Sequence, residues 1–205
     1  MVLPRAGCVR TIAWADVVAV AWDHVAMDVL VIAATPGELD WVGGADTLVV
    51  GIGPVEAAVH TAAYLAAHRP DAILHLGIAG ARRASGLQIG DVVIGTLSQY
   101  SDLAAAVPTV RTIEPDANLF ERVSALLPTA NRQPIATSAH VGGGDCDVEA
   151  MEGFGVLRAA AEAGIPAIEL RAISNMVEEK DRANWDFPGG LRAIAEAGRV
   201  VLAGL

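Results

Sequence analysis

The chain has 205 residues, 53% of them hydrophobic but only 4% aromatic, and a formal net charge of -10. That length holds one domain with a full core, and such apolar content excludes disorder over most of it. The densest basic pair is Arg82-Arg83, so there is no positive footprint for nucleic acid.

So apolar a chain is expected to cover surface in a homo-oligomer. Its two cysteines, Cys8 and Cys146, provide neither a disulfide framework nor a metal-ligand spacing. A reducing cytoplasm is the expected setting.

In residues 1–26 a basic start leads to an apolar middle interrupted by Asp16 and Asp23. The stretch is too short to span a bilayer. At Met27 the sequence changes to "MDVLVIAATPGELD", which reads as a natural first strand. The functional domain is therefore expected over 27–205, with 1–26 as an extension outside it.

Val29–Ala34 reads as a buried strand ending in the turn Thr35-Pro36-Gly37. A second strand covers Thr47–Ile52, and Pro54 suits the first turn of a helix over Val55–His68. Ala72–Leu76 is a strand running into "GIAGA", and Asp91–Gly95 a short one. Helices are expected over Pro115–Leu127, Glu149–Ala163 and Leu191–Leu202, with a strand over Pro166–Ile173. Alternating strands and helices make the class α/β with a mostly parallel, buried sheet.

Ligands of open α/β sheets bind beyond the carboxyl ends of the strands. Four strands here end in unusual residues: Pro36-Gly37-Glu38, Gly51-Ile52-Gly53, Gly77-Ile78-Ala79-Gly80 and Ser174-Asn175. The glycines either make ordinary tight turns or let a ligand approach the backbone. They form neither a G-x-G-x-x-G fingerprint nor a P-loop, so a dinucleotide or ATP enzyme has no support and no cofactor is expected.

Glu38 is either a solvated loop carboxylate or a partly buried general base. Glu152 follows Met151 in "AMEGF", where a carboxylate must be paired or hydrogen-bonded. It either pairs with Arg171 or accepts from a diol. Asn175 either caps a turn or uses its donor and acceptor on a heterocycle edge, with Ser174 supporting it. The five histidines lack metal-ligand spacing and read as structural or surface groups; no G-x-S-x-G elbow appears.

In order, "VIAATPGE", "VGIGPVEAA", "LHLGIAGA", "IGDVVIG", "VEAMEGFGV" and "ELRAISN" resemble the nucleoside phosphorylase/hydrolase superfamily. Within it they resemble most the futalosine hydrolase family, nucleosidases of the alternative menaquinone pathway. The resemblance implies a three-layer α/β/α sandwich around a mixed, mostly parallel sheet. It also implies that Glu38 activates water, Met151 packs on a ribose and Glu152 accepts from its 2′- and 3′-hydroxyls. Asn175 would contact the base, while Gly77, Ile78, Ala79 and Gly80 line sugar and base.

Adenine-type nucleosidases carry Asp at the place of Asn175. An ionised Asp would repel the 6-oxo group of hypoxanthine, whereas Asn can donate to O6 and accept from a protonated N7. Asn175 thus favours a hypoxanthine nucleoside. Arg82 and Arg83 could hold phosphate or simply be a solvated pair; Glu38 makes a poor neighbour for phosphate, which favours water.

Between Ile135 and Glu149 the chain compresses a segment that helps bind the base in this superfamily. The rival readings are accordingly an adenine-type nucleosidase or purine nucleoside phosphorylase, and a non-catalytic nucleoside-binding paralogue.

Overall fold

A computed structural model of the protein describes residues 27–205; the expected extension 1–26 lies outside the described residues. The first strand, β1 (Val29–Ala33), is buried along its whole length. It pairs in parallel with β2 (Asp46–Val49) on one side and β3 (Ala72–Ala81) on the other. β3 in turn pairs in parallel with β8 (Ala167–Met176). These four strands point the same way, so their carboxyl ends share one rim.

The two faces of β1 separate the layers. Leu30 and Ile32 pack with Ala57 and Leu65 of α1 (Pro54–Leu65) and Val156, Leu157 and Ala160 of α3 (Gly153–Ala163). Val29, Val31 and Ala33 face the opposite way, toward Leu119 and Val123 of α2 (Ala117–Leu126) and Ile194 and Val201 of α4 (Phe187–Gly204). This is the expected three-layer arrangement, and a period of two along the strand produces it.

The far half of the sheet closes on itself. β8 pairs antiparallel with β4 (Val92–Tyr100), β4 in parallel with β6 (Asn131–Thr137), and β6 in parallel with β7 (Val148–Ala150). β7 then returns antiparallel to β3 and completes a ring, while the two-residue β5 (Thr112–Ile113) edges β4. A cluster including Ala79, Val93, Ile135, Val148 and Ile173 draws on all five ring strands. Among the described residues no helix is long and apolar enough to cross a membrane.

Several expected boundaries are corrected. Glu149 and Ala150 are strand, and α3 starts only at Gly153. Pairing with both β3 and β6 outweighs the helix propensity of Val-Glu-Ala-Met-Glu. "GIAGA" belongs to β3 rather than to a turn after it. α4 begins at Phe187, before the expected Leu191, because Asp186 caps it through Gly189 N at 2.8 Å. Gly190 looks like a helix breaker, yet a Cβ there would lie 3.0 Å from Ile78 Cγ2 and 3.1 Å from Ser174 Cβ. The first turn of α4 thereby rests on β3 and β8.

Candidate active site

Glu38 ends a single 3-10 turn, Pro36–Glu38, directly after β1, and is 5% exposed. Its Oε2 accepts from Thr35 N and Thr35 Oγ1, both at 2.9 Å, and its Oε1 from Ile78 N at 3.3 Å. The carboxylate is therefore buried and oriented, and the solvated-loop reading does not hold. The Ile78 contact ties the rim of β1 to the strand two places along in sequence order.

Glu152 is the residue before α3 and makes no side-chain cap to that helix. Its side chain turns away instead. Oε1 accepts from Gly53 N at 3.2 Å, and Oε2 lies 3.4 Å from Arg171 Nη2. Gly53 opens α1 with φ of 100°, a left-handed value that a side chain would strain. Burial raises the proton affinity of Glu152; the Arg171 charge and the Gly53 N–H oppose that rise, while Glu38 and Glu169 add to it. Met151, half-buried, links β7 to this position.

Arg171 lies in the middle of β8 and is 1% exposed. Its neighbour across the sheet is Gly77. A Cβ at Gly77 would overlap Arg171 Nη1 and stand 2.8 Å from Glu38 Oε1. The missing side chain is what lets the guanidinium and Glu38 converge. Nε of Arg171 donates to Glu169 Oε1 at 2.8 Å, and Nη2 reaches His75 Nε2 at 2.6 Å. Nη1 makes no hydrogen bond among the described residues. Burial works against the guanidinium charge, but Glu169, Glu152 and Glu38 outweigh it and hold the proton firmly.

Three residues further along β3, Gly80 faces Asn175. The ladder is interrupted here: Ala79 pairs with Ile173 and Gly80 with Asn175, so Ser174 is an extra, bulged residue. Ser174 Oγ lies 2.9 Å from Asn175 Oδ1 and 3.2 Å from Ala79 O. With Oδ1 accepting from this hydroxyl, Nδ2 stays a donor. Nδ2 would be 3.0 Å from a Cβ at Gly80, so the amide lies over that glycine.

All the residues singled out from sequence thus lie at one end of β3 and β8 or on the segments that meet it: Glu38, Gly77, Ile78, Ala79, Gly80, Met151, Glu152, Ser174 and Asn175. The sequence reading named Arg171 as the alternative partner of Glu152 and took His75 as a structural or surface group. In the structure Arg171 joins Glu152 to the strand pair, and His75 and Glu169 flank it. Charged residues inside "IELRAIS" and a histidine inside "ILHLG" were the available signals.

Arg82 is half-buried and its guanidinium is engaged by backbone carbonyls, while Arg83 is exposed. Its Nε donates to Cys146 O at 3.1 Å and its Nη2 to Gly144 O. From the other side, Glu149 Oε2 accepts from Gly144 N at 3.1 Å and Oε1 from Gly142 N. The short segment between β6 and β7 is held by these two side chains.

Residues 29–141 match the model of the phosphorylase superfamily. The chain is 35% identical to a futalosine hydrolase of Acidothermus cellulolyticus, over 75% of this chain and 73% of that one. It is 34% identical to a futalosine hydrolase of Streptomyces coelicolor, over 75% and 77% respectively. It shares its fold with the futalosine hydrolase structure from Helicobacter pylori, with a TM-score of 0.77 at 17% identity, covering 89% of this chain and all of the other.

Proposed function

Because the chain belongs to the phosphorylase superfamily and, within it, to the futalosine hydrolases, we propose that it cleaves the N-glycosidic bond of futalosine with water. Hypoxanthine leaves, and the step serves menaquinone biosynthesis. The observation that carries this reading is the convergence of two buried carboxylates, Glu38 and Glu152, on the Arg171 guanidinium beside Gly77 of β3.

In the proposed reaction Glu152 accepts from the ribose hydroxyls, and Met151 packs against the sugar. Loosening of the C1′–N9 bond develops positive charge on the sugar, which the nearby carboxylates stabilise. Glu38 takes a proton from the water that attacks C1′. The geometry supports this because Thr35 and Ile78 hold both carboxylate oxygens in place. Arg171 Nη1, turned to Gly77 beside Glu38 Oε1, is a donor suited to orient that water. Asn175 meets the departing base, its Nδ2 toward O6 and its Oδ1 toward N7–H. Gly77 and Gly80 offer bare backbone, and Ile78 and Ala79 apolar side chains, to line sugar and base.

Water is favoured over phosphate by charge. Glu38, Glu152 and Glu169 surround one guanidinium, so the cluster carries excess negative charge that repels a phosphate dianion. Arg82 is engaged by the β6–β7 segment. We also assign the protein to the cytoplasm and to a homo-oligomer. Ile52, Val55 and Val59 are 62%, 64% and 57% exposed along the start of α1, an apolar face that a second copy would cover.

The test is chromatography of released base from futalosine, its 6-amino analogue, inosine and methylthioadenosine, each with and without phosphate. Hypoxanthine from futalosine, independent of phosphate, is expected. Adenine release or a phosphate requirement would replace this reading with a sister activity.

A further inference from the structure

Arg171 has three partners, and two of them do not belong to the proposed catalytic set. Glu169 and His75 are register partners across β8 and β3, just as Arg171 and Gly77 are. Glu169 is 1% exposed and His75 fully buried. The four residues therefore form two rungs of one parallel ladder, separated by the Leu76–Leu170 rung, and the second has a gap where a side chain would be.

The protonation state of His75 follows from its neighbours. Nδ1 lies 3.1 Å from the carbonyl of Ile32, which can only accept, so Nδ1 carries the hydrogen. Nε2 faces an Arg171 N–H at 2.6 Å and must accept it. His75 is a neutral acceptor. Burial and the adjacent guanidinium both depress its proton affinity well below the ordinary histidine range.

Glu169 has a similar logic. Oε1 takes the Arg171 Nε–H at 2.8 Å, while Oε2 is buried without a hydrogen-bond partner. The carboxylate occupies the space that a Cβ at Gly153 would need. Gly153 is the first residue of α3, so Glu169 sits at the positive end of that helix. Glycine in "MEG" is thus required by a residue sixteen positions away, and that residue grips the arginine that meets Glu152.

We propose that Glu169 and His75 are positioning residues: between them they hold the Arg171 guanidinium in the orientation that reaches Glu152, and Gly153 leaves the room for it. Glu169 holds Nε and His75 holds Nη2, which leaves the guanidinium plane no freedom to turn. The groups that face Glu152 are Arg171 and Glu169 on β8, Glu38 after β1 and the Gly53 N–H at the start of α1. His75 on β3 stays neutral. The catalytic meaning of the arrangement rests on the proposed role of Glu152, but the arrangement itself can be read without turnover.

The experiment is a carboxyl-carbon NMR titration of the full, ligand-free chain labelled at glutamate, with Glu152 assigned through E152Q. Glu169→Gln and Glu169→Leu both remove a negative charge, but only Gln keeps an acceptor for Arg171, so the Glu152 midpoint is expected to lie higher in E169L than in E169Q. His75→Leu removes an acceptor and loosens Arg171 from Glu152, so the midpoint is expected to rise. His75→Gln restores an acceptor near the place of Nε2 and should return the wild-type midpoint.

E169L titrating like E169Q, or H75L titrating like H75Q, overturns the proposal. Should one pair not fold, the other decides. Hypoxanthine release by the unaltered chain is scored separately: its absence would sink the proposed function and leave the titration result standing.

Discussion

Glu38 shows how backbone N–H groups and a hydroxyl orient a buried carboxylate. Two donors from Thr35 and one from Ile78 occupy its oxygens, which orients the remaining lone pairs. General-base catalysis contributes about 10²–10⁴-fold. Glu38→Gln keeps the size and loses the base, so kcat is expected to drop by roughly that factor; the amide also loses the acceptor for one of these N–H groups, so the melting temperature falls while the chain still folds. Turnover within a few-fold of wild type would remove Glu38 from the mechanism. Asn175 illustrates a different economy at the same scale. Its amide lies between the hydroxyl of the preceding residue, Ser174 Oγ at 2.9 Å from Oδ1, and the bare backbone of Gly80.

Among the elements, α1 and α3 are the pair whose contact reaches the site. They approach so closely that a Cβ at Gly155 would overlap Pro54 O and come within 3.0 Å of Ala58 N. Small residues, Ala57 and Ala160 among them, make the approach possible. The same junction delivers the Gly53 N–H to Glu152. Gly155→Ala must push α1 away from α3, and overpacking of this kind costs about 1–3 kcal/mol. Chemical denaturation should show that loss, and KM should rise with it because Gly53 retreats from Glu152. A stable variant with unchanged KM would mean that the helix junction does not govern the carboxylate.

For the molecule as a whole, the buried cluster links stability to pH. His75 is neutral in the fold, with a proton affinity well below the ordinary value of 6.5. The unfolded chain therefore binds a proton that the folded one refuses, and stability is lost as pH falls below about 6.5 toward the depressed folded value. The slope for one proton is about 1.4 kcal/mol per pH unit. Glu152 acts in the opposite direction: its raised affinity makes the fold gain stability as pH falls toward the ordinary glutamate value of 4.5. Comparing wild type with His75→Gln separates the two, since only the histidine contribution disappears. Denaturant midpoints between pH 5 and 7 should fall more steeply for wild type. Parallel curves would show that His75 is not the group responsible.

Much of this protein could be read locally. The continuous apolar runs of β1, β3 and β8 mark strands buried on both faces, and their alternation with helices sets the class. Glu38, Glu152 and Asn175 stand out because each is a polar group next to such a run, where burial without a partner is costly. What was not legible depends on pairing between distant segments. Three residues of β7 close the ring only because β3 and β6 present edges on both sides, and no local pattern in Val-Glu-Ala announces that. The state of His75 is decided by Ile32 and Arg171, 43 and 96 positions away. The room for Arg171 comes from Gly77 on another strand. Propensity and burial are written residue by residue; hydrogen-bond partners and clearances arise only when the chain brings two distant stretches into register.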